Sequence, residues 1–258
     1  MTDADTPPDA GAPRAGRRTP PAPLRLAAVS AFALLVYGLV APYLPATGGV
    51  YAGLAVALVV NLALFSGVVA GLSPLRTAGT RALVVAAAAA ALSVPFGLLD
   101  WVPAANVAKV VAAAGLGYWL AGVISSLGVV LLVAVLSAVV DIVSVLTGPT
   151  KVLLERAPDA VGYLTVAFLW PGQDPLRFYT ALGVADLIFF ALYVGAAQKF
   201  ALRSTATVVG VAAGIGAAVV VGLWTGPMPA LPWLAAGFLV SNADLLLGRG
   251  RSLSSDGS

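Results

Sequence analysis

Residues 124–147 read ISSLGVVLLVAVLSAVVDIVSVLT. From Leu127 to Thr147 the only ionisable side chain is Asp141. A bilayer is crossed by about 20 consecutive apolar residues rising 1.5 Å each, so this stretch reads as a membrane span. An ionised side chain at mid-bilayer costs about 2.5–3.5 kcal/mol on insertion scales, so the acid inside the span needs a reason.

Working outward, the apolar stretches follow one another along the chain. Spans are expected at about 24–45, 50–72, 81–99, 105–122, 124–147, 178–199, 205–225 and 229–247. The run 105–147 is too long for one crossing and is divided at Ile124-Ser125-Ser126. The whole chain agrees with this reading: of its 258 residues, 60% are hydrophobic and 10% charged. Its mean hydropathy is +0.99. A water-soluble domain is nearer half apolar and a quarter charged. The expected fold is all-α, a polytopic transmembrane helix bundle of about eight spans, multi-pass in the cell membrane with the lipid bilayer as its first partner.

Residues 1–23 are rich in Pro, Ala and Asp, lack apolar periodicity and are expected to be disordered, as are residues 248–258. Arg17-Arg18 resembles a twin-arginine signal, but Thr19-Pro20-Pro21 and the further spans favour a cytoplasmic anchor. Between the tails the chain divides into N-terminal helices (24–123) and a core (124–247) interrupted by the polar 148–177 segment. Within that segment an interfacial helix or a strand pair fits the apolar piece Val161 to Trp170. Arg14, Arg17, Arg18 and Arg25 flank the first span. Arg76 and Arg81, Lys199 and Arg203, and Arg249 and Arg251 lie at the even-numbered span ends. By the positive-inside rule both termini are cytoplasmic and 148–177 lies outside. With a net charge of +3 carried by so few residues, nucleic acid is not an expected partner.

The chain has no cysteine and no histidine. This excludes disulfides, thiolate metal sites, Ser-His-Asp triads and the HExxH zinc helix. No metal and no cofactor is expected. A Ser144–Lys151 dyad is disfavoured because Gly148-Pro149 intervene. The glycines at 210, 214 and 216 include small-xxx-small spacing, which reads as helix packing.

Four acids lie in or beside the spans. Asp100 and Asp244 sit at span ends and read as interfacial. Asp141 lies seven residues before Gly148, where its helix should end, and Asp186 eight residues after Phe178, where the next should begin. At about 1.5 Å per residue both lie roughly 10–12 Å deep, measured from one face. Two carboxylates in contact share a proton. One can then act as general base towards water while the other polarises a carbonyl. A carboxylate relay in a proton-coupled transporter uses the same pair, and two acids at one depth taken alone favour the transporter.

Two more features accompany the acids. Asp186 closes Gly183-Val184-Ala185-Asp186, whose small residues admit a close backbone. Pro229-Ala230-Leu231-Pro232 opens the last span, and its prolines disfavour helix and free backbone groups to meet an extended strand. In order and spacing, Val140-Asp141, Gly183 to Asp186 and Pro229-Ala230-Leu231 resemble the motifs of the presenilin and signal-peptide-peptidase family of intramembrane aspartyl proteases. That family carries Tyr-Asp, Gly-x-Gly-Asp and Pro-Ala-Leu there. Leu182 to Phe190 and Asp141 to Leu146 are similar to the presenilin versions. The resemblance covers residues 127–247. It implies catalytic Asp141 and Asp186, and a substrate cleft shaped by Gly183, Ala185, Pro229, Ala230 and Leu231. The implied substrates are transmembrane peptides, either single spans or signal-peptide remnants. The sequence departs from the family at Val140 and Ala185, and in having eight spans rather than nine. An inactive relative that only binds helices remains a further reading.

Overall fold

The computed structural model describes residues 22–46, 49–148, 162–173, 180–226 and 228–247. The expected tails and most of 148–177 lie outside the described residues. The chain is mostly helical: α1 (Ala22–Val40), α2 (Val50–Gly71), α3 (Thr80–Leu98), α4 (Val102–Val123), α5 (Leu127–Thr147), α6 (Val184–Lys199), α7 (Ser204–Thr225) and α8 (Leu231–Ser241). Two short strands, β1 (Thr165–Ala167) and β2 (Ala181–Gly183), pair antiparallel. Six helices (α1 to α5 and α7) are long and apolar enough to cross a membrane. The chain is therefore a multi-pass membrane protein by length and composition.

Helix ends follow local chemistry. Ser126 caps α5, its hydroxyl accepting from the Val129 N–H at 3.4 Å, which places the break between α4 and α5 where the serines suggested. Gly148 ends α5 with φ 90°, a left-handed conformation that a side chain would strain. α4 starts earlier than expected, with Pro103 in its first turn, where a missing N–H costs nothing.

Two expected spans differ. Among the described residues of the 178–199 stretch, helix begins at Val184, and residues 181–183 form strand β2. The 229–247 stretch yields an eleven-residue helix that stops at Ser241. There Asn242 is buried and competes for backbone: its side chain donates to Phe238 O and Thr207 Oγ1, both at 2.9 Å, and accepts from the Arg203 N–H at 2.9 Å. Residues 243–247 resume as helix after that turn.

α4 is the centre of the bundle. It packs against α3 on one side and α6 on the other, and also touches α1, α2 and β1. Small residues make this possible. A methyl at Gly117 would run into the Ile188 carbonyl and Ala191 of α6. The Lys199 ammonium locks the far end of α6 to α4, donating to Gly122 O and Ile124 O at 2.6 Å each. Gly210 and Gly214 face α8, where Gly237, Ser241 and Trp233 approach them, and Gly216 meets Leu58 and Leu62 of α2. Helix packing is what these glycines serve.

Candidate active site

Asp141 and Asp186 line one cavity of about 630 Å³. That size suits a short stretch of peptide or a small molecule. The floor comes from α5, α6, α7 and α8, and one wall is β2 with its neighbours Thr165 and Thr180.

Asp186 sits in the first turn of α6, not two turns into a helix begun at Phe178. Equal depth through equal helix length is therefore not how the two acids meet. Extended backbone delivers Asp186 instead, because each strand residue advances about 3.3 Å against 1.5 Å in a helix. Its carboxylate turns back on the chain, accepting from the Gly183 N–H at 3.1 Å. A Cβ at Gly183 would sit 2.9 Å from Asp186 Oδ2, so the glycine makes room for the acid itself rather than for a second backbone.

Asp141 occupies the second-last turn of α5 and accepts from the Leu231 N–H at 2.9 Å. The Ala230 N–H faces the same carboxylate. These amides lie at the start of α8, where a helix has no carbonyls of its own to offer them and attracts negative charge. Residues 228–230 are not helical, and Pro232 falls in the first turn of α8. The Pro229-Ala230-Leu231 motif thus holds one acid through its backbone. Asp141 and Asp186 thus reach one cavity from two different helices.

Of the residues expected at the site, Gly183, Ala185, Ala230 and Leu231 line the cavity with the two acids, and Pro229, between the lining residues Met228 and Ala230, does not. Ala185 is exposed. Val140 is 65% exposed on the outer face of α5 and is not part of the lining, so that departure lies away from the chemistry. Asp100 and Asp244 are both exposed, away from the cavity. Asp244 pairs with Arg203 at 2.6 Å. Among the described residues no cluster of three His, Cys, Asp or Glu could hold a metal.

Four polar residues outside the expected set, Tyr37, Asn61, Asn106 and Lys109, hold the strand wall. Asn61 and Asn106 are fully buried and Lys109 nearly so. Asn106 donates to Ala167 O at 2.8 Å and accepts from the Ala167 N–H at 3.1 Å. Asn61 and Tyr37 donate to Leu169 O at 3.2 and 3.0 Å. Lys109 Nζ donates to Gly162 O and Thr165 O at 2.6 and 2.9 Å. A polar or charged side chain inside an apolar span was the signal available for three of them. Comparison of the chain with protein-family models, with curated proteins and with solved structures returned no match.

Proposed function

We propose that the protein is an intramembrane aspartyl protease of the cell membrane, with an eight-span, presenilin-like arrangement in which α6 and α8 complete the crossings. The observation that supports this best is the shared cavity: two carboxylates, strand β2, and Ala230 and Leu231 at the entry to α8 all line it. A scissile peptide bond must be extended before it can be attacked, and β2 offers backbone groups along which a chain can lie. The substrates are transmembrane helices or signal-peptide remnants.

The chemistry is hydrolysis. Asp141 and Asp186 hold one proton between them. The ionised carboxylate takes a proton from a water held in the cavity, and the oxygen of that water bonds to the carbonyl carbon. The protonated acid gives its proton to the carbonyl oxygen. The tetrahedral diol collapses as the acid that took the water's proton gives it to the amide nitrogen, the other carboxylate takes a proton from a diol hydroxyl, and the C–N bond breaks to release the amine. The Leu231 amide holds the Asp141 carboxylate in position for these transfers.

The test is cleavage of a reporter helix by purified protein. Asp141→Asn and Asp186→Asn should each lower the rate by at least about a thousandfold, since a catalytic pair acts as a unit. Asp244→Asn, at the exposed ion pair, should leave it unchanged. Retained cleavage in either of the first two variants sinks the proposal. Proton-coupled flux in liposomes without proteolysis would make the protein a transporter. Helix capture indifferent to Asp141→Asn would make it a binding protein.

A further inference from the structure

β1 has two edges. Its even-numbered residues face β2: Val166 pairs with Leu182, and the Phe168 N–H continues the ladder to Thr180 O at 3.0 Å. Its odd-numbered residues present main-chain groups to the helices at the spacing of a strand edge. Thr165 O meets Lys109, the N–H and C=O of Ala167 meet Asn106, and the N–H and C=O of Leu169 meet Asn61. Each asparagine offers one acceptor and one donor side by side, as a neighbouring strand would. Irregular backbone at membrane depth is tolerated only where protein satisfies it. The buried side chains do more than satisfy it, because they match alternate residues and so recognise one register.

That register reaches the acids in two steps. β1 fixes β2 through the ladder, and β2 ends at Gly183, whose N–H holds Asp186. The other edge of β2 faces the cavity. We infer that Asn61, Asn106 and Lys109 form a strand clamp that sets the register of the sheet, and thereby which peptide bond of an extended substrate comes to the two carboxylates. The three are positioning residues and touch no substrate. The consequence at the substrate rests on the proteolytic reading, whereas the clamp itself does not.

The absence of cysteine allows a direct test on the full chain in lipid. Ala167 and Ala181 are cross-strand partners whose groups do not exchange ladder bonds, the closer kind of pair and one suited to a disulfide. Ala167→Cys with Ala181→Cys should oxidise readily, and Thr165→Cys with Ala181→Cys, which reports a two-residue slip, should not. Adding Lys109→Met or Asn106→Leu should shift the ratio of the two cross-links towards the slipped pair by about fivefold or more, as expected from losing one or two buried hydrogen bonds. Lys109→Gln keeps two donors and should restore most of the native ratio. An unchanged ratio in both Lys109→Met and Asn106→Leu overturns the clamp. If one variant does not fold, the other decides alone.

Mass spectrometry of reporter products supplies the second readout. Wild type should cut mainly at one bond, and Lys109→Met should spread the cuts to neighbouring bonds. A slower variant with an unmoved product pattern overturns the assignment of cleavage position. A wild type that cuts nothing removes the proteolytic reading, and the cross-link ratio still decides the clamp.

Discussion

α4 and α5 are consecutive helices of nearly equal length, separated by Ile124-Ser125-Ser126, yet they occupy opposite environments. Over their most apolar stretches α4 is 56% buried and α5 only 11%. α4 is the least apolar of the six long helices and α5 the most. The inversion is physical. A helix surrounded by protein may carry Asn106, Lys109 and glycines, because neighbouring groups satisfy or fill them. A helix facing lipid must be apolar all round. The two carboxylates fall on different sides of this divide. Asp186 belongs to α6, which is packed and hydrogen-bonded onto α4. Asp141 rides on α5, which packs chiefly on α8 and meets its first turn through the Leu231 N–H.

The largest expected effect tests that contrast directly. Gly117→Val should push α4 from α6, because the added atoms would meet backbone at Ile188 and Leu192 as well as Ala191. Overpacking of this kind costs about 1–3 kcal/mol or more, and thermal unfolding in detergent should show it. Val135→Leu on the 57% exposed face of α5 should change stability by less than about 0.5 kcal/mol. Equal losses in the two variants would mean that α5 is packed in the membrane on a partner as tightly as α4 is in this chain.

Much of the fold was legible because length and apolarity report membrane helices directly. The division at Ser126 and the stop at Gly148 followed from capping chemistry. The start of α6 was not legible. Apolar residues continue from Phe178 through β2 into the helix, and a buried strand and a buried helix have the same hydropathy. The end of α8 depended on where the Asn242 side chain found Thr207, thirty-five residues away. At the site the acids and the Pro-Ala-Leu segment stood out by composition. The clamp did not, although Lys109 is as anomalous in an apolar span as any acid. Its partner Thr165 is 56 residues distant, and only the packed strand brings them together.

A smaller effect sharpens the fixed side of the site. Ala185 is exposed and lines the cavity beside Asp186, where the resembled family has glycine. Ala185→Gly should raise kcat/KM for a reporter by about two- to fivefold by widening access to the acid. It should cost no more than about 1 kcal/mol of stability, the usual penalty for glycine in a helix. A fall in kcat/KM would show that the methyl packs against substrate rather than obstructing it.

The smallest effect belongs to the peripheral side. Successive helical residues are about 100° apart, so with Asp141 turned to the cavity Val140 is carried round to the outer surface. Val140→Tyr restores the residue of the resembled motif at a position with open space around it. It should change reporter cleavage by less than about twofold and stability by less than about 0.5 kcal/mol, as for a surface substitution. A gain of tenfold or more would mean that α5 rotates in lipid until residue 140 joins the cavity wall. The contrast with α4 would then be one of mobility as well as burial. α4 is held by the Lys109, Asn106 and Tyr118 hydrogen bonds and by its glycines, so no comparable rotation is open to it.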